Sequence, residues 1–139
     1  GLIEGAAEGV GLGHRFLKHL TRTRLLLHVI DMTPLNAETN LVHEARALAK
    51  ELEKFDASLS QKPRWLVLNK TDMMPEQERD ELCRQFVDKL EWKENYFIIS
   101  ALTGEGCKHL IYAIMEYLEQ HLPPQEGNSI VENEIPKQC

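Results

Sequence analysis

Leu12, Phe16, Leu17 and Leu20 recur at helical spacing behind a glycine-rich lead, and Leu25 to Ile30 then form an almost unbroken apolar run ending at Asp31. A helix followed by a buried strand accounts for that change of period. Leu41, Ala45, Leu48, Leu52 and Phe55 return at intervals of four and three, which marks one apolar face of a second helix. Trp65 to Leu68 is the next short apolar run, closed by Asn69. A third helix carries Leu82, Cys83, Phe86, Val87 and Leu90, with Pro75 ahead of it in the place of a first helical turn. Tyr96 to Ile99 reads as a third strand. The last helix holds Leu110, Ile111, Ile114, Met115 and Leu118 and is stopped by Pro123 and Pro124. The remainder, 123–139, is a polar C-terminal tail expected to be disordered.

Strands that are apolar throughout and alternate with amphipathic helices imply a parallel sheet covered on both faces, with right-handed crossovers. The predicted class is α/β. Ligands of such sheets bind at the carboxyl ends of the strands. Here those ends are Asp31, the run Asn69-Lys70-Thr71-Asp72, and Ser100-Ala101-Leu102.

Composition narrows the picture. A chain of 139 residues allows one compact domain, and 42% hydrophobic with 27% charged residues suits a soluble globule with a real core. The three cysteines form no C-x-x-C pair, so a disulfide framework and a structural zinc site are not expected, and a reducing cytoplasm is. No apolar stretch is long enough to span a bilayer, and no signal segment opens the chain. Without an initiator Met, the chain is expected to be a piece of something longer. A net charge of -6 argues against a general nucleic-acid surface. The local exception is Arg15, Lys18, Arg22 and Arg24, a basic stretch without acids that could contact RNA or be a solvated helix face.

The strongest chemical signal is Asn69-Lys70-Thr71-Asp72, an N-K-x-D tetrad directly after a buried strand. Guanine offers two adjacent donors, N1–H and the 2-amino group, and the Asp72 carboxylate can accept both in a charge-assisted fork. Adenine leaves that carboxylate unpaired, at a cost of about 1 to 3 kcal/mol or more. Lys70 offers an aliphatic stem that can lie over a base, and Asn69 an amide that can tie loops together. A plain polar β-to-α turn, with Asp72 as a helix-capping acid, is the competing reading. Against it stands the small-residue turn Ser100-Ala101-Leu102-Thr103-Gly104 after the next strand, whose backbone N–H groups can face a base carbonyl.

With these motifs the chain resembles the Obg family of GTPases, bacterial type, a branch of the P-loop GTPases. Asn69, Lys70 and Asp72 match the guanine-specificity motif and Ser100-Ala101 the following S-A motif. The opening from Gly1 to Gly13, continued by His14 to Leu20, is similar to the Obg segment that starts at the glycine of D-x-P-G. The similarity runs from Gly1 to about Leu122. It implies that 1–122 is part of a G domain lacking its first strands and P-loop, with the Mg²⁺ ligands expected upstream and no metal ligand in this chain. It implies GTP and GDP as ligands, hydrolysis to GDP and phosphate by the intact protein, and a cytoplasmic role in large ribosomal subunit assembly, through that subunit or its RNA. The chain alone is expected to be inactive. Base and phosphate contacts are expected from Asn69, Lys70, Asp72, Ser100, Ala101, Leu102 and Gly1. In the resemblance, Gly1 senses the γ-phosphate, and Leu2 stands where many GTPases carry a water-orienting Gln. A leucine cannot orient water, so slow turnover is expected.

A non-catalytic guanine-nucleotide-binding or interaction module remains the alternative. A dinucleotide fingerprint is not: Gly9-Val10-Gly11-Leu12-Gly13 is followed by His14 and does not follow a strand. The six histidines show no ligand spacing, and His28, inside a strand, reads as a satisfied core histidine. Removing the first half of such a domain would leave Leu25 to Ile30 as an open apolar edge, through which the fragment is expected to self-associate.

Overall fold

A computed structural model describes residues 13–121. The elements are α1 (Gly13–Leu20), β1 (Leu26–Asp31), α2 (Leu41–Phe55), α3 (Ala57–Gln61), β2 (Arg64–Asn69), a 3-10 turn (Thr71–Met73), α4 (Arg79–Leu90), β3 (Tyr96–Ile98) and α5 (Cys107–His121). The sheet has the order β1-β2-β3 and is parallel throughout. Three parallel strands with flanking helices are what a partial P-loop GTPase G domain contains. Gly1, Leu2, the glycine-rich lead and the tail 123–139 lie outside the described residues.

β2 is central because its sequence suits burial on both faces. Leu66 and Leu68 meet Ile30, Ala45, Met74, Cys83, Phe86 and Val87 beneath α2 and α4. Trp65 and Val67 meet Phe97, Ile99 and Leu110 beneath α5. Fully burying a side chain such as Leu66 or Leu68 contributes about 1.5–3 kcal/mol, so this strand anchors both layers. A smaller cluster of Leu17, Leu52 and Leu59 joins α1, α2 and α3.

Several sequence expectations need correction. β1 is not covered on both faces: Leu26, His28 and Ile30 are buried, but Leu27 and Val29 are exposed. The register pairs Leu27 with Trp65 and Val29 with Val67, which places them on the α5 face. The α5 cluster draws its buried residues from β2, Phe97, Ile99 and Leu110, and takes none from β1. Helix α4 begins four residues after Pro75, which opens a preceding turn closed by Glu78 N–H donating to its carbonyl at 3.0 Å. β3 ends one residue early, although Ile99 N–H still donates to Leu68 O at 2.8 Å. Helix α3 has too few residues and too few apolar positions to show a period. Asp56 starts it, accepting from Ser58 N–H at 2.8 Å while its own N–H closes α2 on Leu52 O. Phe16, expected on the inner face of α1, is exposed, whereas Leu17 is fully buried.

His28 is buried as expected, but its ring has no hydrogen-bond partner among the described residues. Burial, with the Arg64 guanidinium adding to it, pushes its pKa down to about 4 from 6.5. The unfolded chain therefore binds the extra proton first. Stability attributable to His28 is present above about pH 6.5 and is lost as pH falls towards 4, by up to about 3 kcal/mol. In urea denaturation at stepped pH, His28→Leu should lose less stability than the parent across that window. Equal slopes would show that His28 does not titrate in this way.

Among the described residues nothing pairs the outer edge of β1, and an apolar hollow of about 420 Å³ lined by Phe16, Leu17, Leu27 and Val29 opens beside it. No Pro or Lys guards the strand. We expect residues 1–139 to self-associate, and Val29→Lys to shift them towards monomer in sedimentation equilibrium. A parent that stays monomeric, with slow amide exchange along Leu26 to Asp31, would show that the edge is shielded.

Candidate functional site

The parallel register brings three polar strand ends to one edge. Asp31 lies opposite Asn69 in the β1–β2 pairing, and Met32 N–H extends that pairing by donating to Asn69 O at 3.1 Å. β3 delivers Ser100 beside them, because Ile99 N–H bonds Leu68 O and Thr71 binds Ile99 O through both its N–H and its hydroxyl. Thr71, the variable position of the tetrad, is fully buried and locks the two turns together. Neither its burial nor its bond had a sequence signal beyond its place between Lys70 and Asp72.

Within this frame the polar groups are already organised. Ser100 Oγ donates to Asp72 Oδ1 at 2.7 Å and accepts from Thr103 N–H at 3.1 Å. Asn69 Oδ1 accepts from Ala101 N–H at 2.9 Å, so this amide does tie the two turns together. Its NH₂ group has no partner among the described residues. Asp72 sits in the first turn of the 3-10 element, where Lys70 is the capping position and no side chain caps. Its carboxylate is held by Ser100 instead of capping a helix.

The turn after β3 differs from expectation in one respect. Ser100 N–H is committed to Glu105 O and Ala101 N–H to Asn69, which leaves the Leu102 N–H as the amide of the three without a partner among the described residues. Leu102 is also largely solvent-facing.

Lys70 has positive φ (φ 65, ψ 28), a conformation that few residues other than glycine adopt. Its Nζ donates to Asp31 Oδ2 at 2.9 Å, while Thr33 N–H donates to Asp31 Oδ1 at 2.9 Å. The bond from Lys70, with that from Thr33, holds the Asp31 carboxyl below its usual range. Sequence reasoning placed Asp31 at the sheet edge without giving it a partner. Arg79 adds a tie at the rim, donating to Glu105 at 2.9 Å.

A family model described as 50S ribosome-binding GTPase matches residues 1–70, half of the chain. The chain belongs to the 50S ribosome-binding GTPase family. The match takes in Gly1, Leu2, Asn69 and Lys70 and stops short of Asp72 and Ser100. Guanine-nucleotide binding is thus the activity of its family, and the polar edge lies where an α/β sheet takes ligands. Among the described residues no group of three or more His, Cys, Asp or Glu could hold a metal ion. Arg15, Lys18, Arg22 and Arg24 are all exposed, and no helix among the described residues is long and apolar enough to cross a membrane.

The GTPase-family edge rests on a tight turn. Gly106 has φ +78, and a Cβ there would lie 2.3 Å from Ile98 O, whereas a Cβ at Gly104 (φ +86) meets nothing within 4 Å. We expect Gly104→Ala to cost about 1 kcal/mol and Gly106→Ala at least about 2 kcal/mol, as measured by urea denaturation. Equal costs would mean that the Ile98 carbonyl yields freely.

Proposed function

We propose that residues 1–122 are the base-reading half of an Obg-like GTPase whose intact form hydrolyses GTP and acts in the cytoplasm on large ribosomal subunit assembly. The observation that carries the base-reading part is the Asp72 carboxylate. It is anchored on one side by the buried Ser100 hydroxyl, and its Oδ2 has no partner among the described residues. A fixed anion with open lone pairs, beside an Asn69 amide with an open NH₂, suits a ring that presents paired donors and an acceptor nitrogen. The Leu102 N–H is the amide open to the base carbonyl, and the Lys70 stem packs on the ring. Membership in a ribosome-binding GTPase family supports the partner, the large subunit or its RNA. The exposed Arg15, Lys18, Arg22 and Arg24 are where this chain offers cations to such an RNA.

The same reading gives Gly1 and Leu2 to the segment that senses the γ-phosphate, and the P-loop and Mg²⁺ ligands to sequence ahead of Gly1. Mg²⁺ supplies charge neutralisation at the phosphates when bound. What this chain contributes is selection and placement of the base. The Leu2 side chain has no hydrogen-bonding group, so that side chain does not orient the attacking water.

Competition binding on the intact protein tests the base assignment. Asp72→Asn should weaken guanine nucleotides roughly 10- to 100-fold, because charge-assisted bonds are lost, and should improve xanthine nucleotides, whose 2-carbonyl accepts from an amide. Unchanged guanine preference would sink the assignment.

A further inference from the structure

We propose that Asp31 is a positioning residue of the nucleotide site: by holding the Lys70 ammonium, it fixes the Lys70 stem in the pose that receives the guanine base. The inference rests on the base-reading function proposed above and assigns a role to a residue outside the tetrad.

A lysine side chain has many rotamers to lose, so an unrestrained stem is a poor surface for a flat ring. Two features restrain Lys70. Its backbone lies in the left-handed region, which fixes where the side chain leaves the turn. Its Nζ then meets Asp31 Oδ2 at 2.9 Å, on the neighbouring strand end. The stem is therefore held at both ends and crosses the strand-end edge between Asn69 and Asp31.

The carboxylate that receives Lys70 is itself fixed. Asp31 is the last residue of β1, and Thr33 N–H donates to its other oxygen at 2.9 Å. Both oxygens thus have defined tasks, one closing the turn after β1 and the other gripping Lys70. That division makes the two tasks separable by mutation: an asparagine keeps an acceptor for Thr33 N–H and removes the charge that holds the ammonium. The pair is about half exposed, with side-chain accessibilities of 49% for Lys70 and 42% for Asp31. In water such a pair contributes little, so its value lies in orientation and should emerge when a base covers it.

The test is a double-mutant cycle on the intact protein, read by binding of a fluorescent GDP analogue with Mg²⁺ present, alongside urea denaturation. Asp31→Asn should weaken binding about 3- to 10-fold with a small change in urea midpoint, and should leave the preference for guanine over xanthine unchanged, since Asp72 sets it. In a Lys70→Met background the same change should alter affinity less than about twofold, because no ammonium remains to be held. Asp31→Glu keeps the charge and should stay within about threefold of the parent; it carries the test alone if Asp31→Asn does not fold. Equal affinity of Asp31→Asn and parent, the same loss with and without the Lys70 ammonium, or a tenfold loss in Asp31→Glu would each overturn the proposal. A parent that binds no GDP would overturn the base-reading function and this inference with it. A parent that binds GDP, with any of the preceding results, overturns this inference alone.

Discussion

One buried hydroxyl, Ser100 Oγ, governs the geometry of the polar edge. It donates to Asp72 and accepts from Thr103 N–H, so a single atom orients the key carboxylate and shapes the turn after β3. An ionised carboxylate accepts hydrogen bonds without donating, so a hydroxyl donor with a free lone pair for an amide can serve both partners at once. Because Ser100 is fully buried, neither bond competes with water at its own end. The Asn69–Ala101 and Thr71–Ile99 bonds repeat the tie at either side. The result is two turns from different strands that behave as one unit.

That unit depends in turn on β2. Its four consecutive buried residues, Trp65 to Leu68, fasten α2 and α4 on one face and α5 on the other. A one-residue slip in a parallel strand would exchange the faces and would move Asn69 away from Ala101. Both layers oppose such a slip, since Leu66 and Leu68 fit among residues of α2 and α4 while Trp65 packs at 5.2 Å from the Phe97 ring. The strand that carries the tetrad is thus packed on both faces. The contrast is β1, which among the described residues has one open face and a single strand neighbour.

Much of this was legible in the sequence. Long helices with repeated apolar positions, such as 41–55 and 107–121, and the run Trp65 to Leu68 were readable because one physical signal, burial, dominates them. The class and the convergence of Asn69 with Ser100 followed from the alternation of those elements. What was not legible came from interactions without periodicity. Helix α3 is a capping event at Asp56, the open face of β1 reflects what α5 does not reach, and the commitment of Ala101 N–H to Asn69 is set by side-chain direction. The Lys70–Asp31 pair joins residues 39 apart in sequence and could not be inferred from either neighbourhood.

The two anions at the edge, Asp31 and Asp72, are built differently. Asp31 is satisfied from within: a cation takes one oxygen and a backbone amide the other. Asp72 is only half satisfied, with a neutral hydroxyl on one oxygen and none of the described residues on the other. A neutral donor orients a carboxylate without cancelling its charge, so the attraction for a paired donor survives. Had Lys70 reached Asp72 instead, the charge would have been neutralised internally and a base would have had to break an ion pair to enter. Lys70 is instead engaged by Asp31, at 2.9 Å.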